Sequence, residues 1–202
     1  MNKLIIVTGI SGSGKTTISN YIYNHYKNST IISMDTLKED IYDIVGFNNN
    51  EQKQNLKPII YNTFMELLNE CMKRNDENII IEYPFNNSWG NEFKKLVDKY
   101  NYNAITIKVK GKDYDTIFQR LNNRNNNSKR HPSHSLTSYN LKEKDKYKST
   151  NELDYKELKY DYETDKYTSI NVGREIIFIN DNSNYNYLIE QIDGDLSDFW
   201  IY

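Results

Sequence analysis

The chain has 202 residues, with 26 Lys and Arg against 28 Asp and Glu, a net charge of −2 and a single cysteine. That length suits one domain, and the near-neutral charge argues against a general nucleic-acid coat. No apolar run nears the roughly 20 residues that cross a bilayer, the start lacks the apolar stretch of about 7–15 residues of a secretion signal, and the lone Cys71 excludes a disulfide framework.

Short apolar runs alternate with longer polar stretches of helical spacing. Residues 4–7 read as a buried strand and 15–26 as a helix with Ile18, Ile22 and Tyr26 on one face. A second strand follows at 30–33, helices at 37–45 and 57–73, and a third strand at 79–81. Residues 91–100 read as a helix, 104–109 as a fourth strand, 113–122 as a helix, 176–179 as a fifth strand and 185–192 as the last helix. Strands separated by helices imply a parallel sheet covered on both faces, because parallel neighbours need a crossover. Two stretches break the pattern. One is the basic, Asn-rich run 122–134; the other is 141–167, dense in Lys, Asp, Glu and Tyr, which reads as a solvated helix with loops. Neither can build a core, so the expectation is one domain over 1–202 with a lid and insertion at roughly 122–170.

Gly9-Ile10-Ser11-Gly12-Ser13-Gly14-Lys15-Thr16 matches G-x-x-x-x-G-K-[ST] between an apolar strand and an amphipathic helix. Small residues let backbone N–H groups turn inward around a phosphate, and the helix N-terminus adds unpaired donors. Lys15 is expected on the β- and γ-phosphates and Thr16 on Mg²⁺, with Gly9, Gly12, Ser13, Gly14 and Thr17 completing the ATP cradle.

Asp35 lies just past the second strand, where ligands gather in an open parallel sheet. A carboxylate there can take the proton of an acceptor hydroxyl; the alternative is that Asp35 caps the helix beginning near Thr36. Lys38, one turn on, can hold the acceptor or stand as a solvated lysine. Glu82 ends the third strand and can meet Mg²⁺ through water, or orient substrate. The arginines are Arg74, Arg120, Arg124, Arg130 and Arg174, and from Thr116 to Lys142 there is no Asp or Glu. Arg120 and Arg124 share a helix face, so a basic flap closing over ATP is expected, with Arg130 toward the substrate. Phe85 and Trp89 read as packing or as the wall of an acceptor pocket, and Cys71 as core. No base-reading Asn-Lys-x-Asp is present, which argues against a GTPase switch.

These residues resemble the small P-loop kinases: the polynucleotide-kinase, zeta-toxin and chloramphenicol-phosphotransferase-like group, often labelled AAA-domain ATP-binding proteins. The likeness rests on Gly9 to Thr17, Asp35, Glu82, and Arg120 and Arg124 leading into Arg130-His131-Pro132-Ser133-His134. It implies a three-layer α/β P-loop NTPase sandwich with a five-stranded parallel sheet in the order 2-3-1-4-5 and a lid. It also implies ATP and Mg²⁺ as cofactors, Asp35 as base, and Lys15, Arg120 and Arg124 as catalytic cations. The expected activity is transfer of the γ-phosphoryl of ATP to a hydroxyl of a small molecule or nucleotide. A 5′-hydroxyl polynucleotide kinase, with nucleic acid as substrate, is the alternative, but Lys38 stands where such kinases carry Arg and lacks its bidentate grip on phosphate. A regulatory ATPase without an acceptor is the second alternative. The expected setting is the cytoplasm, without membrane contact, as a monomer or homodimer.

Overall fold

The computed structural model describes residues 2–125, 131–134, 136–140, 155–164, 169–181 and 185–200. Five strands form one parallel sheet in the order β2-β3-β1-β4-β5: β1 Lys3–Thr8, β2 Ser29–Ser33, β3 Asn78–Glu82, β4 Asn103–Gly111 and β5 Arg174–Asn180. The helices are α1 Lys15–His25, α2 Met34–Val45, α3 Asn50–Asn55, α4 Lys57–Arg74, α5 Gly90–Tyr100, α6 Tyr114–Asn125, α7 Tyr155–Thr164 and α8 Tyr185–Trp200. This is the doubly covered sheet and the strand order expected of a P-loop NTPase.

The central strand shows why the sheet must be buried on both sides. Along β1, Leu4 and Ile6 enter one apolar cluster with Phe64, Leu68 and Met72 of α4 and Phe93 of α5. Ile5 and Val7 enter a second with Ile18 and Ile22 of α1 and Ile192 and Leu196 of α8. Successive side chains point to opposite faces, so an unbroken Leu-Ile-Ile-Val run is what a layer between two helical layers requires.

Register then fixes the site. Val7 of β1 and Ser33 of β2 both stand level with Glu82 of β3. The phosphate loop after β1, Asp35 two residues past Ser33, and Glu82 therefore leave the sheet at one carboxyl edge, the edge where open parallel sheets bind ligands.

Candidate functional site

The loop from Gly9 to Gly14 joins β1 to α1. Gly9 and Gly14 hold φ of 142° and 102°, and a Cβ on them would stand 2.1 Å from the Val109 carbonyl oxygen and 2.2 Å from Asn180 Nδ2. Only glycine takes both the backbone angle and the close approach. The N-terminus of α1 has no side-chain cap and no acidic residue in its first turn. Its backbone donors therefore remain suited to an anion. Lys15 is buried, with Nζ donating to the Ile10 carbonyl at 3.0 Å. Ser13 Oγ is buried without a hydrogen-bond partner among the described residues. Gly12, Lys15, Thr16, Thr17, Arg120 and Arg124 line a cleft of about 340 Å³ over the loop.

Opposite the loop stand two carboxylates. Thr16 Oγ1 donates to Glu82 Oε1 at 2.6 Å. Burial pushes the Glu82 carboxyl above its ordinary range, against the Thr16 hydroxyl and the nearby Lys15 charge. Burial likewise presses the Lys15 ammonium down, against the pull of Glu82 and Asp35. Asp35 differs. Burial acts to raise its carboxyl, but Lys38, His134 and Lys15 together hold it below the usual carboxylate range. Lys38 Nζ lies 3.3 Å from Asp35 Oδ1, and 3.5 Å from the Tyr83 hydroxyl, to which it donates. The capping alternative for Asp35 does not hold, because Ser33 caps α2: its hydroxyl accepts from the Thr36 N–H at 3.4 Å.

Helix α6 packs against the loop through a small cluster of Ile10, Ile117 and Leu121. Its Arg120 reaches under the loop, with Nη1 donating to the Gly12 and Ser13 carbonyls at 3.3 and 3.2 Å and Nη2 to Asn180 Oδ1 at 2.8 Å. Asn180, the last residue of β5, donates from Nδ2 to the Ser13 carbonyl at 2.9 Å. Arg124 lies one turn further, exposed at the mouth of the cleft.

The described part of the basic stretch beyond α6 lies against α2. His131 Nε2 meets Asp43 Oδ1 at 2.9 Å, and His134 Nε2 meets Glu39 Oε1 at 2.6 Å. Lys53 Nζ donates to the carbonyls of Ser133 and Leu136 at 2.7 and 2.9 Å. Tyr139 closes the segment with a bridge to Phe47 and a hydroxyl bond to Asp43.

The fold thus gathers Gly9, Gly12, Ser13, Gly14, Lys15, Thr16, Thr17, Asp35, Lys38, Glu82, Arg120 and Arg124 at one edge; Arg130 lies outside the described residues. Phe85 is fully buried in a ring cluster with Phe64, Trp89 and Phe93, so it packs rather than lining a pocket. Cys71 packs beside the core, and burial pushes its thiol up. No group of three or more metal-ligating side chains occurs among the described residues. No described helix is long and apolar enough to cross a membrane. Sequence reasoning missed Asn180 and Glu39. Asn180 had a signal, a polar residue ending an apolar strand; Glu39 had only its four-residue spacing from Asp35.

Fold and loop together define a nucleotide-binding P-loop protein of kinase-like architecture. A family model described as an AAA domain matches residues 5–146, more than two thirds of the chain, and the protein belongs to that family. Among solved structures it is similar to a candidate kinase from Chloroflexus aurantiacus, with a TM-score of 0.73, 17% identity and 96% and 97% of the two chains covered. It is also similar to the tunicamycin resistance protein of Deinococcus radiodurans, with a TM-score of 0.57, 10% identity and 97% and 96% covered. Kti12 of Chaetomium thermophilum, in complex with ADP-AlF3, has a TM-score of 0.53, 16% identity and 96% and 97% covered. Among curated proteins there is no significant sequence match.

Proposed function

We propose that the protein is an ATP-dependent phosphotransferase that moves the γ-phosphoryl group to a hydroxyl of a small molecule or nucleotide. The observation that supports this most is Asp35. It stands past β2 at the same sheet edge as the phosphate loop, within electrostatic reach of Lys15, with the capping duty taken by Ser33. A carboxylate held ionised beside the donor phosphates is what a general base for an alcohol needs.

In this reading the loop amides and Lys15 hold the β- and γ-phosphates. Lys15 exchanges its bond to the Ile10 carbonyl for the phosphate oxygens. Thr16 and Glu82 suit magnesium: a hydroxyl and a carboxylate are hard oxygen donors, here 2.6 Å apart. A burial-raised carboxyl is also the group a cation would relieve. When bound, magnesium supplies charge to the phosphates and fixes their orientation. As the acceptor oxygen bonds the γ-phosphorus, its proton passes to Asp35 and the bond from phosphorus to the ADP oxygen breaks. Arg124 brings positive charge to the cleft mouth, and Arg120 adds charge from beneath while bracing the loop.

Solved structures of similar fold include proteins named a sugar kinase and a tunicamycin resistance protein. Their names guide the choice of acceptors. The test is transfer of label from γ-labelled ATP with magnesium to a panel of sugars, nucleosides, antibiotics and oligonucleotides. The reading expects a labelled phosphoester on one class. ATP binding with slow hydrolysis and no labelled acceptor favours the regulatory ATPase instead.

A further inference from the structure

We propose that Tyr83 is a positioning residue of the acceptor side: through Lys38 it fixes Asp35, so that one carboxylate oxygen is held by the lysine and the other, Oδ2, is left to take the acceptor's proton. The inference deepens the reading of Asp35 as the base and rests on it.

Lys38 and Asp35 stand three apart on α2, with Lys38 Nζ 3.3 Å from Asp35 Oδ1. Two other pairs of that spacing, Lys73 with Glu70 and Lys95 with Glu92, lie on the surface, their lysines 63% and 71% exposed. Lys38 is only 22% exposed, and it has a second anchor outside its helix. Its Nζ donates to the Tyr83 hydroxyl at 3.5 Å, long for a hydrogen bond, and lies 5.2 Å from the Tyr83 ring centroid. A lysine tied at two points has already lost the freedom that makes an exposed ion pair weak. Burial acts to lower the Lys38 ammonium, but Tyr83, Asp35 and Tyr42 together hold it above the usual lysine range, so it stays a cation.

Tyr83 is itself held. Its N–H donates to the Val7 carbonyl at 3.3 Å, and its carbonyl accepts from the Phe85 N–H at 2.8 Å. Its ring meets those of Phe85 and Trp89 edge-on, with centroids 5.6 and 6.4 Å away. Val7 lies two residues before Gly9, where the phosphate loop begins. Contacts therefore run unbroken from the root of that loop through Tyr83 and Lys38 to Asp35. Among the described residues Asp35 makes no other side-chain hydrogen bond, because Ser33 takes the cap of α2. A carboxylate held through one oxygen keeps the second open. Oδ2 can then accept the proton of an alcohol as the alcohol oxygen bonds the γ-phosphorus and ADP departs. Misplacing such a group by about 1 Å costs on the order of a hundredfold in rate.

Titratable and charged groups face Asp35 from several elements: Lys38 and Tyr42 on its own helix, Lys15 on α1, Glu82 and Tyr83 at the end of β3, and His134 with its partner Glu39. Of these, only Lys38 lies within hydrogen-bond distance of Asp35. Lysine stays charged throughout the titration of a carboxylate, so removing Lys38 moves the Asp35 midpoint up.

The experiment compares Lys38→Met, Tyr83→Phe and Tyr61→Phe. The Tyr61 ring belongs to the same cluster, 4.8 Å from that of Trp89, so Tyr61→Phe removes a hydroxyl there without touching Lys38. Asp35 is followed by carbon-13 NMR of its carboxyl, identified by loss of the signal in Asp35→Asn. Label transfer gives kcat and the KM for ATP and for acceptor. The proposal expects Lys38→Met to raise the Asp35 midpoint and to lower kcat at least about tenfold, with both KM values within about twofold. It expects Tyr83→Phe to make the same two changes to a smaller extent, kcat falling about threefold, with the thermal midpoint unchanged. Tyr61→Phe should make neither. A Tyr83→Phe protein that matches Tyr61→Phe in either readout overturns the proposal. So does a Lys38→Met protein whose acceptor KM rises at constant kcat, which would make Lys38 a grip on the acceptor. If the midpoints move as expected but Asp35→Asn transfers label normally, or no acceptor is labelled, the base assignment fails and the tie of Tyr83 to Asp35 through Lys38 stands.

Discussion

Lys15 and Glu82 are opposite charges withdrawn from water a short distance apart, and burial pushes each toward its neutral form. Such a pair is costly by itself and becomes favourable when a phosphate and a cation complete it. Lys15→Ala should therefore lose phosphoryl transfer by at least about a thousandfold, with the ligand-free fold intact by circular dichroism. Transfer within tenfold of wild type would contradict that role. Asp35 gives a stability test whose sign is opposite to that of a simple buried acid. Its folded carboxyl lies below the usual range, so the folded state favours ionisation. The stabilisation is complete above the ordinary carboxylate value of about 4 and is lost as pH falls through the folded midpoint. Asp35→Asn should flatten the loss of stability in that acid window, read as thermal midpoints against pH. A curve parallel to wild type would mean that Lys38, His134 and Lys15 do not hold the carboxylate. The positions of Lys15 and Asp35 were legible in the sequence, because both follow short apolar strands at fixed spacing. The capping role of Ser33 was not, because Ser33 also reads as the last residue of β2.

At the scale of elements, the phosphate loop is clamped between α6 and the end of β5. Gly14 takes a φ of 102° against the Asn180 amide, and that amide with Arg120 fixes the Ser13 carbonyl. Gly14→Ala should strain the backbone by roughly 1–3 kcal/mol and displace Asn180, lowering ATP affinity at least about tenfold by calorimetry. Unchanged affinity would show that the clamp does not shape the loop. Arg120 and Arg124 were readable as neighbours on one helix face, yet the inward grip of Arg120 depends on Asn180, some sixty residues away and invisible to local spacing. The final helix shows another limit. Residues 185–192 were legible by period, whereas α8 runs on to Trp200. The Asp193-Gly194-Asp195 run reads as a break, but Leu196 lies one turn after Ile192 and both are buried against the sheet. The stretch 141–167 reads in sequence as a solvated helix with loops, and within it α7 occupies Tyr155–Thr164; its polarity left the bounds of that helix unreadable.

For the whole molecule, the two apolar layers follow from strand composition, whereas the order β2-β3-β1-β4-β5 was implied only by the family resemblance; parallel strands then put their carboxyl ends at one edge. Ligand binding should then act on the global fold. With ATP and magnesium at about a hundred times Kd, linkage adds roughly 2.7 kcal/mol, or about 5–11 °C in melting temperature for a domain of this size. Glu82→Gln should keep the ATP shift but lose most of its dependence on magnesium. An unchanged magnesium increment would remove Glu82 from the metal site. The central claim is that one edge of this sheet grips a donor triphosphate and aims a carboxylate at an acceptor. Its most direct test sets Asp35→Asn beside wild type, measuring ATP affinity and label transfer to the acceptor found by screening. The account predicts equal affinity with transfer reduced at least about a hundredfold; equal transfer, or a wild-type protein that does not bind ATP with magnesium, would contradict it.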